Sequence, residues 1–273
     1  MSEVEPETRA EAVVDTLGVL YHDNLNEDDF ILYPEDGFSI RVIDESVNFW
    51  QKTYGGQNAF ESLVRTILSQ NTTDTASQPA HDSLMERYGS GDLVANLAEA
   101  DQQRLAETIS SAGLYNQKSE RIVTIAERVR EQYGSQTAFD EFVREGDADE
   151  VRESLLEYNG VGPKTADCVL LFAGGRDGVF PVDTHVHRIA RRIGLASPDA
   201  NHEAVRTQLE RGVPEEKCGF GHTAMIQFGR EYCSARKPAC LDDPEACPMV
   251  DLCEQVGVDT VAGEVVDPSE AMD

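Results

Sequence analysis

The run Leu156-Glu157-Tyr158-Asn159-Gly160-Val161-Gly162-Pro163-Lys164-Thr165-Ala166 combines a tight turn with a reactive amine. Two glycines flanking one apolar residue permit positive φ, and Pro163 suits the first turn of a following helix. Such a turn presents unpaired backbone N–H groups at a helix start, which bind phosphate without any basic side chain. Gly160, Val161 and Gly162 are therefore candidate phosphate contacts. Lys164 falls in the positive potential of that helix start, which lowers an amine's pKa and raises its nucleophilic fraction. Two roles are open to it: nucleophile, or cation paired with phosphate.

A candidate acid follows at Asp183, in Val182-Asp183-Thr184-His185-Val186-His187-Arg188. Val186, Ile189, Ala190 and Ile193 predict the buried stripe of a helix, with Arg188, Arg191 and Arg192 projecting elsewhere. A helix from Pro163 to Ala173 is about 16 Å long, and the link 174–182 spans up to about 30 Å, so Asp183 can return beside Lys164. A lysine with an ionised acid suits nucleophilic catalysis, while the same aspartate also suits a plain helix N-cap. His185 is expected to be structural. Four of six cysteines cluster as Cys233-x6-Cys240-x6-Cys247-x5-Cys253, leaving Cys168 and Cys218 apart. In a cytoplasmic chain, such clustering favours a metal over disulfides.

The elements that must position these groups are helical. From Ala59 onward, apolar periodicity is punctuated by turns at Gly89 and Gly91, Gly113, Gly134, Gly146, Gly160 and Gly162, and 174–178, which predicts an all-α fold. Ile122, Ile125, Ala126 and Val129 lay one stripe along a helix over Lys118 to Tyr133. Ahead of this, Ala10 to Leu17 predicts a short helix, and Phe30 to Ile43 reads as strand-like, broken by Pro34, Glu35, Asp36 and Gly37. After Cys253 the chain reads as an acidic disordered tail, 257–273.

At 273 residues the chain suits a two-lobed enzyme. No apolar run reaches the roughly 20 residues of a membrane span, and the acidic amino terminus is unlike a secretory signal, so a cytoplasmic location is expected. The 51 Asp and Glu against 23 Lys and Arg give a net charge of -28, which opposes phosphate binding. Between Leu156 and Cys240, however, eleven Lys and Arg face ten Asp and Glu. Only five lysines occur, three of them (Lys118, Lys164, Lys237) inside the motifs singled out here. Excess carboxylate with little lysine is a halophile-type composition, since the Debye length shrinks to about 3 Å at 1 M salt.

Together these stretches resemble the endonuclease III family of helix-hairpin-helix DNA glycosylases, from about Ala59 to Glu254. Gly160-Val161-Gly162-Pro163-Lys164-Thr165-Ala166 is similar to its G-V-G-x-K-T-A motif, which implies Lys164 as nucleophile. The likeness of Val182-Asp183-Thr184-His185 implies that Asp183 assists attack at the sugar and stabilises the charge that develops as the base departs. The family's C-x6-C-x2-C-x5-C holds a [4Fe-4S] cluster, so Cys233, Cys240, Cys247 and Cys253 are the implied ligands. Here the middle spacing is four residues longer, with an acidic insertion around Asp242, Asp243, Pro244 and Glu245, and structural zinc is the alternative.

Two further segments carry the resemblance. Ile67-Leu68-Ser69-Gln70-Asn71-Thr72-Thr73-Asp74 looks like the family's stretch whose amide fills the hole left by an extruded nucleotide. Asn71 aligns with that amide and Gln70 stands one place earlier, so both are candidates. Gly113-Leu114-Tyr115-Asn116-Gln117-Lys118 looks like the loop that wedges the opposite side, with Leu114 as wedge or, alternatively, ordinary core. Arg188, Arg191, Arg236 and Lys237 are candidate DNA contacts.

The resemblance implies two helical lobes. One is a helical barrel with the hairpin, 59–176; the other is a cluster lobe built from segment 1–58 and residues 177–256, with DNA in the groove between. It further implies a monomer acting on damaged or abasic double-stranded DNA as a bifunctional glycosylase and lyase for oxidised pyrimidines. The alternatives are a purine or mismatch glycosylase of the same superfamily, or a non-catalytic DNA-binding iron-sulfur protein.

Overall fold

The computed structural model describes residues 6–22 and 58–272. The strand-like stretch expected over Phe30 to Ile43 lies outside the described residues. The chain divides into two compact units, one of residues 51–176 and one of residues 1–50 with 177–273. Both are built of helices, in line with the all-α expectation.

The first unit runs through helices Ala59–Ser69, Asp74–Tyr88, Leu93–Ala98, Gln102–Thr108, Tyr115–Tyr133, Gln136–Glu145, Ala148–Leu156 and Pro163–Phe172. Their starts are set locally by short polar side chains that accept orphaned N–H groups: Asn58 from Glu61, Asp92 from Ala95, Asp101 from Arg104 and Ser135 from Ala138. Each such cap is worth about 1 kcal/mol. The Tyr115–Tyr133 helix is the spine. Its stripe of Ile122, Ile125, Ala126 and Val129 is buried as the periodicity predicts, and Leu93–Ala98 and Gln102–Thr108 pack along it. At about 28 Å it is long enough to reach from the wedge loop to the hairpin.

The second unit packs Arg9–His22, Thr184–Ile193, His202–Gly212 and Cys218–Glu231 around one apolar cluster. Val13, Val14 and Leu17 from the first helix join Val186, Ile189 and Ile193 from the second, and Met225 and Phe228 from the last. Burying each such side chain is worth roughly 1.5–3 kcal/mol. Gly229 lets Thr184–Ile193 lie close, since a Cβ there would meet His185 Nδ1 at 2.6 Å.

The end of the chain departs from the sequence expectation of disorder. Val258–Asp259 and Glu264–Val265 form a small antiparallel hairpin, and a 3-10 turn covers Pro268–Met272. A bidentate pair fastens this end: Arg191 Nη1 to Asp267 Oδ1 at 2.9 Å and Nη2 to Oδ2 at 3.0 Å.

Candidate active site

The hairpin begins where Ala148–Leu156, capped by Asp147, comes to its end. Tyr158 turns inward to 2 % exposure, and Val161 N donates to Tyr158 O at 3.0 Å, closing the turn. Gly160 takes φ +87°, and a Cβ there would also come within 2.6 Å of Arg121 Cδ. The positive φ is what favours glycine here, since the flexible end of the Arg121 side chain can shift aside. Gly162 caps the next helix through its carbonyl, which accepts from Thr165 and Ala166, and Pro163 occupies the first turn. The buried pair Arg152 Nε to Asp167 Oδ1, 2.7 Å, ties the two hairpin helices together. Lys164 stands at the second position of Pro163–Phe172, half-buried and next to the hairpin's N–H groups.

Two loops flank the hairpin within the same unit. Gln70 donates from Nε2 to Gly160 O at 2.9 Å and to Thr165 Oγ1 at 3.2 Å, so its amide braces the hairpin. Asn71 is exposed and left-handed at φ +53°. Leu114 is 52 % exposed at φ +47°, and Tyr115 beside it is 41 % exposed. A non-glycine residue at positive φ is uncommon and costs of order 1 kcal/mol, more for a bulky one. Both the exposed amide and the exposed leucine are held in that state, which removes the core alternative for Leu114.

In the second unit, Asp183 caps Thr184–Ile193, its Oδ1 accepting from His185 N and Val186 N at 2.8 Å each. The approach is fixed from behind: Phe180 and Val182 are buried, and His222 Nδ1 lies 2.8 Å from Pro181 O. Oδ1 takes both backbone bonds of the cap. His185 packs against Gly229 and Arg188, burial pushing its pKa down, which suits the structural role expected of it.

Cys233, Cys240, Cys247 and Cys253 line one cavity with Arg192, Phe228, Tyr232 and Val258. Arg192, 3 % exposed, donates to Ser234 O at 2.6 Å and Ala235 O at 2.7 Å, and its Nη1 stands 3.6 Å from Cys233 Sγ. Gln255 N donates to Cys253 Sγ at 3.3 Å. Burial raises the Cys240, Cys247 and Cys253 thiols, the last to about 11. Among the described residues, no three His, Cys, Asp or Glu are gathered closely enough to hold a single metal ion. The thiols therefore share a cavity without forming a tight mononuclear site. The acidic insertion forms its own turn, Glu245 N donating to Asp243 Oδ1 at 3.1 Å.

Residues 64–215 match the family model for the HhH-GPD superfamily base excision DNA repair protein. The chain belongs to that superfamily. It is similar to endonuclease III of Thermotoga maritima, 33 % identical over 77 % of this chain and 89 % of the relative. Among solved structures it resembles a trapped endonuclease III–DNA covalent intermediate, an estranged-adenine complex, at TM-score 0.60 and 28 % identity over 78 % of this chain and 92 % of that one. A thermostable thymine-DNA glycosylase shares the fold at TM-score 0.66, with 23 % identity over 90 % and 96 % of the two chains. The chain is an endonuclease III-type DNA glycosylase of base excision repair.

Within this HhH-GPD frame, one expected DNA contact is buried and two others carry partners within the chain. Arg191 is 6 % exposed and committed to Asp267 and to Pro198 O at 2.9 Å, so it is a tie and not a phosphate contact. Arg188 places Nη2 2.7 Å from Cys233 O and bonds Gly229 O as well, which orients the first cysteine. Lys237 is exposed but paired with Asp242 of the insertion at 2.9 Å. Arg236 remains exposed. The sequence reading missed Arg121, whose side chain lies against Gly160, and the internal role of Gln70. For Gln70 the one signal was its place in a motif, since Gly160 lies 90 positions away. For Arg121 there was none, because its partner is thirty-nine positions away.

Proposed function

We propose that this chain is a bifunctional DNA glycosylase and AP lyase that acts as a monomer on double-stranded DNA, removing oxidised pyrimidines and nicking abasic sites. One observation carries the reading: a lysine at the second position of the hairpin's second helix, where backbone donors and a helix dipole can hold the flanking phosphate. Binding would rest on the N–H groups of Gly160 and Gly162, with Arg236 in support, the Val161 N–H being spent on Tyr158 O. Asn71 and Leu114 would enter the duplex as plug and wedge, which lowers the cost of extruding a nucleotide that cannot be attacked while stacked.

In the proposed reaction, Lys164 Nζ attacks the anomeric carbon of the extruded nucleotide and the glycosidic bond breaks, the base leaving with a proton. Asp183 supplies the ionised carboxylate that stabilises positive charge on the sugar. The ring opens as the amine loses its proton, giving a Schiff base. Loss of a 2′ proton and expulsion of the 3′ phosphate then cut the strand, and water frees the lysine.

The cysteine cavity fits a [4Fe-4S] cluster held by Cys233, Cys240, Cys247 and Cys253. What supports this is the donor set: four thiols on one cavity, with an arginine and a backbone N–H directed at sulfur. When bound, the cluster supplies a rigid cross-link of the loop that carries Arg236. Broad absorbance near 400 nm is expected of the purified protein, and a colourless zinc protein would contradict it.

The test of the reaction is a panel of duplexes bearing thymine glycol, uracil, 8-oxoguanine, mismatched adenine or an abasic site, assayed at high salt. Release of thymine glycol with β-elimination ends is expected. Preference for 8-oxoguanine or mismatched adenine would move the chain to a purine or mismatch branch. Tight binding of the abasic duplex without any nick would contradict the lyase.

A further inference from the structure

Lys118 is 1 % exposed, yet its ammonium meets no carboxylate among its hydrogen-bond partners. Lysine is almost never fully buried unless paired, because removing its charge from water is costly. Here Nζ donates to two backbone carbonyls, Leu68 O at 2.8 Å and Ala112 O at 2.8 Å. Burial, with the charge of neighbouring Arg121, lowers its pKa to about 8, which is a measure of that cost.

The identity of the two carbonyls gives the buried charge a purpose. Leu68 lies in the last turn of Ala59–Ser69, where carbonyls lack helical partners, and Asn71 follows three residues later at φ +53°. Ala112 ends the short 3-10 turn Ser110–Ala112, and Leu114 follows two residues later at φ +47°. One ammonium thus fastens the base of both loops whose exposed tips are strained. Residues in sparsely populated backbone regions persist only where their surroundings over-determine them. Lys118 is common to both surroundings, and it comes from the first turn of the Tyr115–Tyr133 helix, whose N-cap is Leu114 itself.

We propose that Lys118 is a positioning residue that holds Asn71 and Leu114 as one preorganised unit for opening the duplex, acting on extrusion of the nucleotide and not on the bond-breaking steps. This rests on the glycosylase reading above, in which those two residues enter the stack. Without the ammonium the loops relax separately, and plug and wedge no longer meet the duplex in register. The cost then falls on opening, so a target that is already open is spared.

The test compares wild type with Lys118→Met, which keeps the apolar stem and removes the donor. Turnover is measured on a fully paired thymine glycol duplex and on the same lesion inside an unpaired bubble, with 2-aminopurine beside the lesion reporting unstacking. The expected result is a loss of about tenfold on the paired duplex with a weaker fluorescence rise, and less than about twofold on the bubble. In an Asn71→Ala, Leu114→Ala background, Lys118→Met should add little further loss, since residues acting as a unit are non-additive. Equal losses on both substrates, or none on either, would overturn the proposal. If Lys118→Met does not fold, Lys118→Gln, whose shorter amide reaches at most one carbonyl, is measured the same way. A wild-type protein that opens and cuts neither duplex would overturn the glycosylase reading itself, a different outcome from wild-type activity that Lys118 variants share.

Discussion

In residues 58–176 the hairpin places glycine backbone at a helix start and strained loops carry an exposed amide and an exposed leucine, while the lysine Lys118 is buried. In residues 177–272 the basic side chains Arg188, Arg191 and Arg192 turn inward, onto Cys233, Asp267 and the Ser234 and Ala235 carbonyls. Under the proposed function, a strongly acidic chain would address a polyanion mainly through fixed dipoles in one unit, while Arg188, Arg191 and Arg192 of the other serve as internal ties. Dipoles from aligned peptide groups do not raise net charge and are not exchanged for solvent cations as surface lysines are. Arginine suits the second task because its planar fork satisfies several carbonyls at once.

Six substitutions at five positions sharpen or break that contrast. The largest effect is expected of Asp183→Asn, which can still accept the His185 and Val186 N–H groups but carries no charge. Base removal should fall roughly a hundred- to ten-thousand-fold at nearly unchanged melting temperature. Asp183→Ala should lose about 1 kcal/mol of stability in addition, so a variant pair that differs only in stability would reduce Asp183 to a cap.

Arg192→Met comes next. It leaves the Ser234 and Ala235 carbonyls unpaired, and a loss of about 2–4 kcal/mol is expected, with reduced absorbance near 400 nm. Unchanged absorbance and stability would show that the cysteine loop holds itself. Gly160→Ala should cost about 1–3 kcal/mol, from positive φ and contact with Arg121, whereas Gly162→Ala, which meets nothing within 4 Å, should barely alter denaturant midpoints. Equal stability losses would remove Arg121 from the hairpin's support.

The smallest effect concerns the chain end. Arg191, then Ser269, holds the Asp267 carboxyl well below the usual carboxylate range. A group with a depressed folded pKa contributes stability above its unfolded pKa and loses it as pH falls towards the folded value. Asp267 is half-exposed, so the contribution is under about 1 kcal/mol. Asp267→Asn should release the last residues to proteolysis at neutral pH and flatten the acid limb of the stability curve slightly.

The hairpin was legible in the sequence because its determinants are local: two glycines, a proline at the first helical turn, and caps within three residues of the N–H groups they satisfy. The arginines of Thr184–Ile193 were not. Periodicity separates an apolar face from a polar one, but this helix is covered on its polar side too, by the cysteine loop and by the chain end. The folded end was unreadable for the same reason, since what fastens Asp267 lies 76 positions upstream. Of the two amides, only the structure separates Gln70, bonded to Gly160, from exposed Asn71.

The account depends most on Lys164 forming a covalent bond to deoxyribose. Borohydride reduction during reaction with an abasic duplex at high salt, followed by peptide mapping, addresses it directly. The account predicts a stable protein–DNA adduct on Lys164 that Lys164→Ala abolishes without loss of fold. An adduct of equal yield in Lys164→Ala, or one mapped to another amine, would contradict it.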